Sequence, residues 1–149
     1  MRMALFEPDM PGNVGTIIRL AACLDVPLDI IEPCGFPFGD RALKRAGMDY
    51  LERAAIHRHD DWAAFRDRRR ERLVLLTAHG DVDYADAAFA PDDILLLGRE
   101  SAGVPEPVHA AAALRVRIPL ARRARSLNVA VAAAMVLGEA LRQTGYFPK

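Results

Sequence analysis

Short apolar runs alternate with stretches of helical periodicity along this chain. Met3 to Phe6 is closed by Glu7-Pro8, and Leu28 to Ile31 is stopped by Glu32-Pro33. Leu73 to Thr77 ends at Ala78-His79-Gly80, Ile94 to Leu97 ends at Gly98, and Leu114 to Ile118 ends at Pro119. Runs this short, bounded by Gly or Pro, read as buried strands. Ile17, Ile18, Ala21, Ala22 and Leu24 recur at helical spacing, which predicts a helix with Asn13 as its cap. A second helix is predicted through Trp62 and Phe65, capped by Asp60 or Asp61. A short Ala-rich helix follows Pro105, and a long apolar one spans Val129 to Leu141. Arg41 to Ala46 reads as a basic amphipathic turn and Ala54 to His57 as a short strand. Strands alternating with helices, several of them continuously apolar, predict an α/β fold with a parallel sheet covered by helices on both faces.

Length and composition narrow this picture. A chain of 149 residues with 52% hydrophobic and 27% charged residues suits one globular domain over residues 1–149. The 20 basic and 20 acidic residues cancel, so a nucleic-acid site must come from local clustering. All the basic residues except Lys44 and Lys149 are arginine, which suits bidentate phosphate contacts. The run Arg66 to Arg72 mixes both signs and reads as a solvated helix end. Cys23 and Cys34 lack the spacing of a disulfide framework or a zinc site. His57, His59, His79 and His109 show no ligand spacing and read as surface residues. With no signal-peptide layout and no apolar span long enough for a membrane, a cytoplasmic protein is expected.

In open α/β sheets ligands sit beyond the carboxyl ends of the strands. Four such ends carry polar or Gly-rich loops: Gly12 to Gly15, Thr77 to Gly80, Gly98 to Gly103 and Pro119 to Asn128. No Gly-x-Gly-x-x-Gly or Gly-x-x-x-x-Gly-Lys-Ser/Thr occurs, which removes support for ordinary dinucleotide and P-loop binding. No Gly-x-Ser-x-Gly elbow occurs either. Arg19 stands out inside an otherwise apolar helix. Spacing alone leaves it open whether it joins Asn13 at the sheet end or snorkels to solvent.

Three motifs then stand in order: Asn13-x-Gly15-x-x-x-Arg19 after Glu7-Pro8, Gly98-x-Glu100-x-x-Gly103-Val104-Pro105, and Ile118-Pro119 with Arg125-Ser126-Leu127-Asn128. Together they resemble the SPOUT-class RNA 2′-O-methyltransferases, over essentially the whole chain. Ile31-Glu32-Pro33, Arg45-Ala46-Gly47-x-Asp49-Tyr50 and Arg142-Gln143-x-Gly145-Tyr146 resemble the small single-domain tRNA subgroup, which methylates the wobble ribose, cytidine or modified uridine, of certain leucine tRNAs. The resemblance implies a C-terminal trefoil knot, which topology rules by themselves argue against. It also implies a homodimer, tRNA as partner and S-adenosyl-L-methionine as methyl donor without a metal.

By the same resemblance, Leu76, Thr77, Gly98, Glu100, Gly103, Ile118, Ser126 and Leu127 bind the donor. Arg19, Asn13, Glu100, Ser126 and Asn128 serve catalysis or substrate placement. Arg122, Arg123, Arg125 and Tyr146 are candidate RNA contacts. The apolar Val129-Ala130-Val131-Ala132 departs from the family, which commonly carries Ser or Asn there. A relative acting on another tRNA or rRNA ribose, and a non-catalytic RNA-binding protein of the same fold, remain alternatives.

Overall fold

A computed structural model, which describes residues 1–39 and 41–149, turns each of these apolar runs into a strand. The elements in chain order are β1 (Arg2–Phe6), α1 (Pro11–Cys23), β2 (Leu28–Ile31), α2 (Arg41–Gly47), a 3-10 turn (Met48–Glu52) and β3 (Ile56–His59). There follow α3 (Trp62–Arg68), β4 (Leu73–Leu76), β5 (Val82–Asp83), β6 (Ile94–Leu97), α4 (Glu106–Ala111), β7 (Leu114–Arg117) and α5 (Val129–Thr144). One seven-stranded sheet runs β3-β2-β1-β6-β4-β7-β5. Every pairing in it is parallel.

Met3 to Phe6 of β1, and all of β4 and β6, are continuously apolar because both faces are covered. Alternate side chains point to opposite sides of a sheet. Met3, Leu5, Leu95 and Leu97 therefore meet Val14, Ile17 and Ile18 of α1, Leu43 of α2, and Ala133 and Leu137 of α5. Ala4, Phe6, Ile94 and Leu96 meet Phe65 of α3 and Val108 of α4 on the other face. Each fully buried Leu, Ile or Phe adds roughly 1.5–3 kcal/mol to the drive for this layering.

The helix ends follow from local chemistry. α1 starts with Pro11 at its first position and has no side-chain cap. Asn13 therefore lies within the first turn, one correction to the predicted cap, and Gly12 to Gly15 form helix rather than loop. Asp61 caps α3 by accepting from the Ala64 amide at 2.7 Å. Asn128 caps α5 by accepting from the Ala130 and Val131 amides, and Gly145 ends it at φ +68°. The Arg41 to Ala46 turn is a true helix, and the strand expected at Ala54 to His57 lies at Ile56–His59.

α1 and α2 touch backbone to backbone. A Cβ on Gly15 would fall 2.6 Å from both the Ala46 Cβ and the Leu43 carbonyl oxygen. Only glycine permits that approach.

Near the amino ends of the strands two carboxylates are fully buried, Asp29 and Asp93. Arg2 Nε donates to Asp29 at 2.6 Å, His59 Nε2 is bonded to it at 2.6 Å, and Arg69 Nε lies at 3.2 Å. Arg72 grips Asp93 through two bonds of 2.7 Å. Two expectations need correcting here. His59 is a core residue, and Arg69 and Arg72 of the charged run are structural partners of buried acids. No sequence spacing reveals such pairs, because Asp29 meets Arg69, and Asp93 meets Arg72, only through the sheet order.

Candidate functional site

The loops after β4, β6 and β7 converge beyond the carboxyl ends of the sheet, where a cleft of about 570 Å³ opens between them and the start of α5. Thr77, Ala78 and His79 come from the first loop, Gly98 to Glu100 with Gly103 and Val104 from the second, and Ile118, Leu120 and Ser126 to Asn128 from the third. All eight residues expected around a methyl donor, namely Leu76, Thr77, Gly98, Glu100, Gly103, Ile118, Ser126 and Leu127, line this one cleft. His79, expected at the surface, lines it too, as do Arg99 and Leu120, to which no binding role is assigned by the sequence. His79 belonged to a flagged strand end, so its position was legible although its side chain was not.

Gly98 and Gly103 make the second loop possible. Arg99 and Gly103 exchange two backbone hydrogen bonds of 3.0 and 2.9 Å, closing the loop on itself. A Cβ on Gly98 would lie 2.7 Å from the Gly103 carbonyl carbon, and Gly103 has φ +63°. The loop is held outward by Arg99 paired with Glu7 and by Ser101 donating to Asp9. Glu7 and Asp9 both follow β1, so the β6 loop is tied to its neighbour strand.

A polar chain crosses one end of the cleft. Asn128 Nδ2 donates to Asn13 Oδ1 at 2.9 Å, and Asn13 Nδ2 donates to Glu100 Oε1. The Val129 amide also donates to Glu100 Oε1, at 3.4 Å. Three of the five residues expected in catalysis thus fasten α1, the β6 loop and the start of α5 to one another. Asn128 spends its acceptor on capping α5 and its donor on Asn13. The apolar Val129 to Ala132 segment costs nothing here, because the polar contacts of this helix start come from Asn128 and the backbone.

Residues 1–138 match the model of the SpoU rRNA Methylase family. The chain belongs to that family. It is 60% identical to the tRNA (cytidine(34)-2′-O)-methyltransferase of Beijerinckia indica subsp. indica, over 99% of this chain and 94% of that one. Among solved structures, one concerned with the 2-OH methylation of C/U34 on tRNA superposes with a TM-score of 0.90 at 40% identity, covering 95% of this chain and 94% of that one. The SpoU methyltransferase AviRb from Streptomyces viridochromogenes, in complex with AdoMet, gives a TM-score of 0.88 at 32% identity, over 96% of this chain and 60% of that one. The chain is therefore a SPOUT-class methyltransferase.

Within this SpoU fold Arg19 stands apart from the cleft. Its guanidinium lies 5.5 Å from the Tyr50 ring centroid, and Nη1 is 3.3 Å from Met48 Sδ. Six residues of helix separate it from Asn13, roughly 9 Å along the axis. The sequence left open whether the two share the sheet end; Asn13 does and Arg19 does not. Arg122, Arg123 and Arg125 sit on a fully exposed loop beside the cleft mouth, without an ion pair among the described residues. Tyr146 is 56% exposed beyond α5. No group of three or more His, Cys, Asp or Glu side chains suited to a metal ion occurs among the described residues. No described helix is long and apolar enough to cross a membrane.

Proposed function

We propose that this protein transfers the methyl group of S-adenosyl-L-methionine to the ribose 2′-hydroxyl of the wobble nucleotide, cytidine or modified uridine, in leucine tRNAs. It acts in the cytoplasm as a homodimer of single-domain subunits whose C-terminal segment forms a trefoil knot. The observation that carries this reading is the convergence of the three motif loops on one cleft, in a chain so similar to relatives named for cytidine-34 methylation.

The cleft fits the donor. Its volume lies within the usual range for small-molecule sites. Leu76, Ile118, Leu120 and Leu127 offer apolar walls for a flat base. Gly98, without a Cβ, lets main-chain donors and acceptors come close, and Thr77 and Ser126 add hydroxyls. The donor supplies an already activated methyl on a sulfonium and leaves as S-adenosyl-L-homocysteine, while the proton of the ribose hydroxyl passes to water. What this chain contributes is alignment of the ribose hydroxyl and stabilisation of charge. The Asn128–Asn13–Glu100 chain holds the loop around the reacting centre. Arg19 offers a guanidinium with donors and no acceptor, so its role is electrostatic: it holds the adjacent phosphate and stabilises the developing alkoxide.

Arg19 lies outside its own subunit's cleft, and Val131 and Met135 leave an apolar stripe on α5 at 50% and 37% exposure. Pairing of two copies across α1 and α5 covers that stripe and carries one copy's Arg19 towards the partner's cleft. Arg122, Arg123 and Arg125 then face the tRNA backbone, with Tyr146 as a stacking surface.

Incubation with methyl-labelled S-adenosyl-L-methionine and total tRNA, followed by fractionation of isoacceptors, tests the reading. Label is expected in leucine tRNAs. Label confined to other tRNAs or to rRNA replaces the substrate, and no label in any RNA despite donor binding overturns the enzymatic reading.

A further inference from the structure

Tyr50 belongs to no part of the cleft, yet its ring engages Arg19. Two guanidinium groups approach its ring, Arg19 at 5.5 Å and Arg53 at 5.7 Å from the centroid. Both distances fall within cation–π range. Arg53 is itself tied to Asp49 at 3.1 Å. The ring is therefore held from one side of the sequence while it engages Arg19 on another element.

The backbone is arranged to bring this about. The Gly15 contact locks α1 against α2 at Leu43, Ala46 and Gly47, one turn before Arg19. Directly after Gly47 the chain turns at Met48, whose φ of +52° lies in the left-handed region that a methionine rarely adopts. That turn begins the 3-10 segment carrying Tyr50 and sets Met48 Sδ against Arg19 Nη1. Strain of this kind persists where surrounding packing over-determines it. Here it is the α1–α2 contact that does so.

We infer that Tyr50 is a positioning residue: its ring fixes the guanidinium of Arg19 in the orientation presented to the RNA, and the Gly15–Gly47 contact sets the ring in place. The inference rests on the reading of Arg19 given above. It requires the aromatic face rather than the hydroxyl, so phenylalanine serves and alanine does not. An exposed arginine has many rotamers, and each unproductive one lowers the fraction of enzyme ready to react.

The test compares Tyr50→Ala, Tyr50→Phe and Arg19→Ala in the full-length protein with total tRNA. Tyr50→Ala is expected to slow single-turnover methylation about fivefold to thirtyfold, the range of a cation–π contact as it loses water. Its S-adenosyl-L-methionine Kd and thermal midpoint are expected to stay at wild-type values. Tyr50→Phe is expected to stay within about twofold of the wild-type rate. A second readout needs no turnover: the Arg19 Hε proton resonance, shifted upfield by the ring, moves to its ordinary position in Tyr50→Ala and stays shifted in Tyr50→Phe. Wild-type turnover in Tyr50→Ala, an equal loss in Tyr50→Phe, or an unmoved Hε resonance in Tyr50→Ala overturns the inference. Full activity in Arg19→Ala overturns instead the role given to Arg19, while the resonance still reports whether the contact exists.

Discussion

The two ends of the sheet use the same residue types for opposite purposes. At the amino end, Asp29 and Asp93 are buried, and each is closed off by hydrogen-bonded side chains: Arg2, His59 and Arg69 around one, Arg72 around the other. Both carboxylates are spent on partners within the protein. At the carboxyl end, residues 120–128 are exposed, and Arg122, Arg123 and Arg125 have no ion pair among the described residues. Charge matched inside the protein fixes structure, whereas charge left unmatched beside a cleft is available to a substrate. Arginine content alone carries neither meaning; the distinction lies in what each arginine meets.

Substitutions at each end should separate stability from binding. Asp29→Ala removes the shared partner of Arg2, Arg69 and His59. It is expected to cost about 3–5 kcal/mol, the range for breaking a buried ion pair. Chemical unfolding reads this as a lower midpoint, while the protein that stays folded binds S-adenosyl-L-methionine with unchanged Kd. At the other end, Gly98→Ala pushes a methyl against the Gly103 backbone at 2.7 Å. About 1–3 kcal/mol of strain is expected. It falls on the cleft loop, so calorimetry should show donor affinity dropping at least about tenfold, while the unfolding midpoint falls by less than in Asp29→Ala. Equal damage to stability from both variants would erase the contrast.

A subtler prediction concerns salt. Replacing Arg122, Arg123 and Arg125 together by alanine should flatten the dependence of log affinity for tRNA on log salt by about 2 to 3, with thermal stability untouched. An unchanged slope would return these arginines to solvent. The smallest expected effect is at Cys34, beside Glu32. Burial, then the nearby carboxylate, disfavour its thiolate and push the thiol up to about 11. Between the ordinary thiol range and that value the unfolded chain ionises and the folded chain does not, so native stability should fall slightly as pH rises through the window. Iodoacetamide should label Cys34 slowly at pH 8 and faster towards pH 11.

Much of this architecture was legible in the chain. Met3 to Phe6, Leu73 to Leu76 and Ile94 to Leu97 are apolar on both faces, as a covered parallel sheet requires. The three motif loops were readable because glycine and proline mark strand ends directly. What stayed hidden depends on residues far apart in sequence. The burial of His59 follows from its contact with Asp29, and the structural role of Arg69 and Arg72 follows from the strand order. The two-residue strand Val82–Asp83 carries too little pattern to be read. Asn13 looked like a helix cap, but Pro11 starts α1 earlier, which frees the Asn13 side chain to link Glu100 and Asn128. The donor and the tRNA were readable only through resemblance to a family.

The most direct test of the central claim is nucleotide-resolution mass spectrometry of leucine tRNAs after reaction with wild-type protein and with Gly98→Ala. The account predicts a single added methyl on the ribose of nucleotide 34 with the wild type, and far less with the variant. A methyl on any other nucleotide, or equal methylation by both proteins, would contradict it.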